Sequence, residues 1–203
     1  MNTEPLEPAG DWCASFFIME IRQKVIPAIR RMKDFEYALE LPVEYVVLLD
    51  SSLTNLHNIV HYVQQQDKKI LVHADLIEGL KTDEYAIDYL AQHVKPDGII
   101  STRRNVILSA KKYGIISILR LFLIDSLAME SGVQNARSTE PNFIEVLPGV
   151  AFSAIREVNR LTGIPIITGG LIKKEEDVEA ALAAGAVSVS TSKKALWTLK
   201  LKQ

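Results

Sequence analysis

Short β-rich apolar runs recur along this chain at Val25 to Ala28, Tyr45 to Leu49, Lys69 to Val72, Gly98 to Ser101, Ile115 to Leu119, Phe143 to Val146, Pro165 to Thr168 and Val187 to Ser190. Each reads as a strand. Between them the apolar positions fall at helical spacing, as in Leu56, Ile59, Val60 and Val63, or Tyr85, Ile87, Leu90 and Ala91. Pro42, Pro96, Pro141 and Pro165 stand at or just before a strand, where proline stops the preceding helix, and Gly114, Gly163 and Gly185 stand where a left-handed helix cap belongs. Alternating strands and helices imply a parallel sheet, and eight such units predict an α/β fold, a compact (β/α)8 TIM-type barrel. Periodicity alone leaves an open doubly wound sheet as the alternative, but the Rossmann glycine fingerprint that would support it is missing.

The size of the chain agrees with one domain. Its 203 residues are 48% hydrophobic, enough for a single well-buried core and few long loops. We expect the barrel domain over residues 19–203 and a flexible extension over residues 1–18, where Pro5, Pro8, Gly10 and several acids precede the apolar group Phe16, Phe17 and Ile18. That stretch lacks the basic leader of a signal peptide, and Met19 offers an alternative start. Cys13 is the only cysteine, so no intramolecular disulfide forms, as fits a reducing compartment. No run of about eighteen apolar residues suggests a membrane span. A formal charge of -2 gives no global attraction to polyanions, so any nucleic-acid contact must rest on a local basic patch.

Chemistry in a barrel gathers at the C-terminal strand ends. The last two of these ends carry Gly169 and Gly170, then Ser190, Thr191 and Ser192. Glycine without a Cβ lets backbone N–H groups approach a ligand oxygen, hydroxyls add donors, and a short helix from Lys193 would present its N-terminal amides. The pattern predicts a phosphate site; tight turns with no ligand are the bland alternative. The other strand ends carry Arg30, Asp50 and Ser51, His73 and Asp75, Ser101 to Arg103, Arg120, Asp125 and Glu145. Asp75 and Asp125 also suit helix or turn caps. Arg120 and Glu145 are expected to pair across neighbouring strands, because an acid inside the apolar run FIEVL is costly unless satisfied. His57 and His61 have the spacing of a metal pair, but without a third ligand they read as a solvated helix face, and no metal or cofactor is expected. His73 would line the pocket, and His93 reads as an ordinary helix-end residue. The acids Asp50, Asp75 and Glu145 keep open an enzyme that holds Mg²⁺ or acts on a small phosphate ester: a lyase, isomerase or glycerophosphodiesterase.

The segments VIPAIR at 25–30, VHADLIEGLKTDEYAIDYL at 72–90, KPDGIISTRRNVI at 95–107, RLFLIDSLAME at 120–130, FIEVLPGV at 143–150, IPIITGGLIKKEEDVEAALAAGAVSVSTS at 164–192 and LW at 196–197 resemble the glycerol-3-phosphate-responsive antiterminator family. That resemblance implies a cytoplasmic, non-enzymatic regulator that senses sn-glycerol 3-phosphate and binds the mRNA leader of glycerol-operon genes, with a homodimer as an open expectation. It places phosphate against Gly169, Gly170, Thr191 and Ser192, and the glycerol end near Asp75, Arg120 and Glu145 with Lys81 and Arg103 as neighbours. The segment before Met19 and RSTE at 137–140 depart from the pattern, so no role carries over to them. Arg103 with Arg104, Lys173 with Lys174, and Lys193 with Lys194 follow strands four, seven and eight, and folding would gather them on one rim. Arg104, Lys173, Lys174, Lys193 and Lys194 are thus the RNA-binding candidates, set against the plain reading of lysine pairs as solvated surface.

Overall fold

In the computed structural model, which describes residues 20–199, eight parallel strands close on themselves. They are β1 (Val25–Ile29), β2 (Tyr45–Leu48), β3 (Lys69–His73), β4 (Gly98–Ser101), β5 (Ile116–Phe122), β6 (Phe143–Leu147), β7 (Ile166–Gly169) and β8 (Ala186–Thr191). Closure comes from the first and last strands, with Val25, Ile26 and Pro27 in register with Val189, Ser190 and Thr191. The open-sheet alternative is therefore excluded. Seven α-helices cover the outside among the described residues: α1 (Phe35–Glu40), α2 (Leu53–Gln64), α3 (Glu84–Tyr89), α4 (Arg104–Lys112), α5 (Ser126–Thr139), α6 (Phe152–Thr162) and α7 (Glu175–Ala183). After β8, among the described residues, comes only a three-residue 3₁₀ turn, Lys194–Leu196. The extension expected over residues 1–18 lies outside the described residues.

Alternate residues of each strand enter two separate cores. Ile26, Ala28, Val47, Leu71, Ile118, Phe143 and Ile167 fill the barrel, while Val25, Val46, Val72, Leu119, Ile144 and Val189 pack against the helices. Continuing that alternation upward puts His73, Arg120, Glu145 and Ser190 on the inward face of the top layer. The helical patterns behave as expected at Leu56, Ile59, Val60 and Val63, all buried, and at Ile87 and Leu90. Tyr85 departs from its pattern and is 83% exposed, because α3 lies over the barrel at Ile87 and Leu90 and turns that ring outward.

Six strands run past the C-terminal ends that the sequence suggests, β5 by three residues and β1, β3, β6, β7 and β8 by one each. β3 includes His73, and β5 continues to Phe122, so Arg120 lies within the ladder, opposite Glu145. Above β2 and β3 a second, two-strand parallel ladder pairs Ser51–Ser52 with Ile77–Glu78 and raises that side of the mouth.

Candidate functional site

The C-terminal mouth of the barrel holds a small cavity of about 210 Å³. Its polar lining comes from Arg30 after β1, Arg120 on β5, Glu145 on β6, Gly170 after β7, and Ser190 to Ser192 at the end of β8. Leu49, Leu76, Leu147, Leu171 and Ile172 supply apolar walls. The volume lies below the roughly 300 Å³ at which sites for drug-sized ligands begin, so it suits a metabolite of a few carbons.

Glu145 is the centre of this layer. It is 1% exposed, and both carboxylate oxygens are engaged: Arg120 Nε donates to Oε2 at 2.6 Å and Ser190 Oγ to Oε1 at 3.0 Å. The expected pairing of Arg120 with Glu145 is thus present. Burying either charge alone would be costly, and the pair with its added hydroxyl offsets part of that cost. Because Arg120 spends only Nε within the described residues, its two terminal nitrogens remain for the cavity it lines. Arg30 lines the same space, so its net charge is positive.

The two glycine and hydroxyl loops do lie side by side, since β7 and β8 are neighbours with Gly169 in register with Ser190. Gly169 has no room for a side chain: a Cβ there would collide with Ser190 Oγ. Gly170 has φ 75° and Leu171 φ 61°, two successive left-handed residues of which the second is strained for a branched side chain. Gly149 N donates to the carbonyls of both Gly169 and Gly170, which fixes this turn to the loop after β6. None of the hydrogen bonds among the described residues uses the N–H of Gly170, Leu171 or Ser192. Those donors stand at the mouth beside two arginines. Thr191 is committed otherwise: its hydroxyl accepts from Lys193 N at 3.1 Å, and its carbonyl accepts from Trp197 Nε1 at 2.7 Å. The 3₁₀ turn that follows is too short to supply the helix N-terminus expected from Lys193.

Other expected residues lie away from the cavity. Asp75 turns to β4 and accepts from Ser101 Oγ at 2.6 Å, Thr102 N at 2.7 Å and Thr102 Oγ1 at 3.0 Å, with Arg103 Nε at 3.9 Å. Lys81 is fully at the surface, 3.8 Å from Asp83. Arg104 opens α4 and is exposed. Lys173 and Lys174 precede α7, where Asp177 Oδ2 accepts both their backbone amides. Lys193 is exposed, whereas Lys194 reaches Asp34. Asp125 caps α5 by accepting from Ala128 N at 2.7 Å. His57 and His61 stack at 6.3 Å on the outside of α2, and among the described residues no group of three or more His, Cys, Asp or Glu is placed to hold a metal.

Three features escaped the sequence reading. Arg30 stands among the strand-end residues, but its place in the cavity depends on closure between the first and last strands. Asp34, 7% exposed, lies between Arg31 Nε at 3.0 Å and Lys194 Nζ at 2.6 Å, the latter held by charge rather than by an aligned hydrogen bond. The Lys194 ammonium, with Arg31 beside it, holds this carboxyl below the usual carboxylate range. His73 is 2% exposed with neither ring nitrogen bonded among the described residues; burial, helped by Arg120, pushes its pKa down to about 4. No sequence signal marks a histidine as partnerless.

Residues 25–197 match the family described as glycerol-3-phosphate responsive antiterminator, which is nearly the whole described barrel. The chain belongs to that family. Antiterminator relatives with solved structures agree. The glycerol uptake operon antiterminator regulatory protein of Listeria monocytogenes is 45% identical, with a TM-score of 0.85 over 87% of this chain and 96% of its own. A glycerol uptake operon antiterminator-related protein of Thermotoga maritima is 29% identical, with a TM-score of 0.79 over 88% of this chain and 100% of its own. An uncharacterized Escherichia coli protein, YgcP, is 32% identical over 88% of this chain and 93% of its own. Barrel enzymes, aldolases and decarboxylases among them, match at 11–15% identity, a likeness of fold alone. Among the described residues no helix of this antiterminator-family chain is long and apolar enough to cross a membrane.

Proposed function

We propose that this protein senses glycerol 3-phosphate in the mouth cavity and, when loaded, binds the mRNA leader of glycerol-utilisation genes to prevent early termination. The observation that carries the reading is the cavity's lining: two arginines and three unspent backbone amides surround a space whose one carboxylate is already neutralised. A dianionic phosphate fits against the amides of Gly170, Leu171 and Ser192 with Arg30 as counter-ion, since charged partners roughly double the strength of such hydrogen bonds. The glycerol hydroxyls then meet Arg120, Glu145 and Ser190 on the inward layer. Asp75, Lys81 and Arg103 have no place in this assignment.

The same geometry favours a sensor over a phosphate-ester enzyme. A general base or metal ligand needs an unpaired carboxylate at the cavity, whereas Glu145 is ion-paired to Arg120, Asp75 is turned away to Ser101 and Thr102, and Asp50 does not line the space. Titration calorimetry should detect glycerol 3-phosphate and not glycerol. A gel shift with a glycerol-operon leader should tighten on adding the effector; equal shifts in both lanes would remove the coupling. Gly170→Asp sets a carboxylate where phosphate belongs, at a φ of 75°, and should weaken the effector at least a hundredfold. Turnover of a glycerophosphodiester with Mg²⁺, lost in Glu145→Gln, would favour the enzyme.

A further inference from the structure

The basic residues around the mouth are not equivalent. Lys173 and Lys174 are followed at once by Glu175, Glu176 and Asp177, and Lys174 Nζ already lies 3.7 Å from Glu176. Arg103 and Arg104 follow β4, four strands around the ring from β8. A denser group forms where the barrel closes. Arg30, Arg31 and Lys33 from the loop after β1 stand beside Lys193 and Lys194 from the loop after β8, because those strands are paired up to Pro27 and Thr191. The acid within these two loops is Asp34, largely buried beneath Arg31 and Lys194, and the next, Glu36, lies on α1.

Flat apolar surface accompanies the charge. Met32 is 56% exposed and Tyr37 39% exposed. The Tyr37 ring stacks on Trp197 at 5.9 Å with Lys194 Nζ 5.5 Å from its centroid, and a shallow groove is lined by Tyr37, Lys194, Ala195 and Thr198. Cations that follow a backbone, next to a partly exposed aromatic ring, are the elements of single-strand recognition. An acidic peptide would use the charges but not the ring.

These two loops also line the cavity, through Arg30 and Ser192. We propose that the corner formed by Arg30, Arg31, Lys33, Lys193 and Lys194, with Tyr37 beside it, holds single-stranded RNA, and that Asp34 links this corner to the ligand cavity. The proposal rests on the reading of the protein as an effector-responsive RNA-binding regulator. Phosphate held by Arg30 and the Ser192 amide fixes both loops at their cavity ends. Asp34, gripping Arg31 and Lys194 at once, carries that order to the outer surface.

The test uses the full chain, a fluorescent glycerol-operon leader RNA and anisotropy with and without glycerol 3-phosphate, alongside calorimetry of the effector. Arg31→Ala with Lys33→Ala and Lys193→Ala should weaken RNA binding at least tenfold. It should also lower the slope of log affinity against log salt by about 2, at about 0.7 per lost contact to a single strand. Effector affinity should change less than twofold. Arg104→Ala with Lys173→Ala and Lys174→Ala serves as the comparison, with a loss of twofold or less. Equal losses from the two triples, or none from the first, overturn the corner. Should the first triple misfold, Lys33→Glu alone serves, since that exposed side chain makes no hydrogen bond among the described residues. Asp34→Asn should retain effector binding yet lose the effector's influence on RNA, and a full response in that variant removes the link. A wild-type protein that binds effector but no leader RNA in any condition defeats the parent reading instead, which separates the two failures.

Discussion

Two acids near the ends of their strands, Asp75 and Glu145, illustrate how differently the two sides of the mouth are built. Glu145 lies within β6 on the inward face, buried against Arg120 and Ser190, and forms the floor of the cavity. Asp75 lies just beyond β3 in a 3₁₀ turn and ties that turn to Ser101 and Thr102 after β4. On the β5 to β8 side, polar groups point at an open space. On the β3 to β4 side, they point at one another. Within the ladder the alternation of β6 turns Glu145 inward and makes it a binding group, whereas two residues past the end of β3 the carboxylate of Asp75 serves as a clasp.

Removing Glu145 should have the largest effect. Glu145→Ala leaves Arg120 buried without its counter-charge, a situation that costs about 3–5 kcal/mol, toward the lower end here because Arg120 reaches the cavity. Urea unfolding should show that loss, and calorimetry should show effector binding abolished. Stability within 1 kcal/mol of wild type would mean that the pair is not the keystone of the layer.

Next in size is a pH effect at His73, which lies between the two sides and feels Arg120, Glu145 and Asp75. In the unfolded chain its imidazole takes up a proton as pH falls through about 6.5, whereas in the fold it stays neutral down to about 4. Across that window the unfolded state binds more protons, so stability is full above pH 6.5 and declines as pH falls, by about 1.4 kcal/mol per unit. We expect a loss of about 2 kcal/mol by pH 5, before most carboxylates titrate. His73→Leu should flatten the profile between pH 6.5 and 5, and an unchanged slope would assign the effect to other groups.

The comparison also explains what could be read in advance. The barrel was legible because buried parallel strands leave dense apolar runs and because helices end at Gly114, Gly163 and Gly185, which do adopt φ of 68°, 66° and 103°. Glu145 was legible for the same reason, as an acid inside an apolar run must find a partner. Asp75 was not, because no pattern says whether a residue past a strand turns toward the axis or along the rim. Arg30, Asp34 and Lys194 meet only when strands one and eight close, more than a hundred and fifty residues apart, and local spacing carries no trace of that meeting.

Asp75→Asn sharpens the contrast from the other side. Asparagine retains one acceptor oxygen where the carboxylate offers two, so part of the network to Ser101 and Thr102 is lost, at about 1–2 kcal/mol. Effector affinity should stay within twofold. A tenfold fall without further destabilisation would place Asp75 at the ligand and erase the distinction between the two sides of the mouth.

The smallest effect is expected at Lys81, which the family resemblance sets near the glycerol end and the fold sets outside. Its side chain is 90% exposed, and its only charge partner among the described residues, Asp83, lies 3.8 Å away. Such exposed pairs are worth less than about 1 kcal/mol, and Asp83 keeps its other task, capping α3 by accepting from Ala86 N at 3.0 Å. Lys81→Ala should therefore shift stability by less than about 0.5 kcal/mol and leave the affinity for glycerol 3-phosphate unchanged. Because the helix cap survives the substitution, a clear loss of effector affinity could not be blamed on misfolding of α3. It would require the loop between the small ladder and α3 to fold across the mouth on binding, turning the clasped side of the barrel into part of the site.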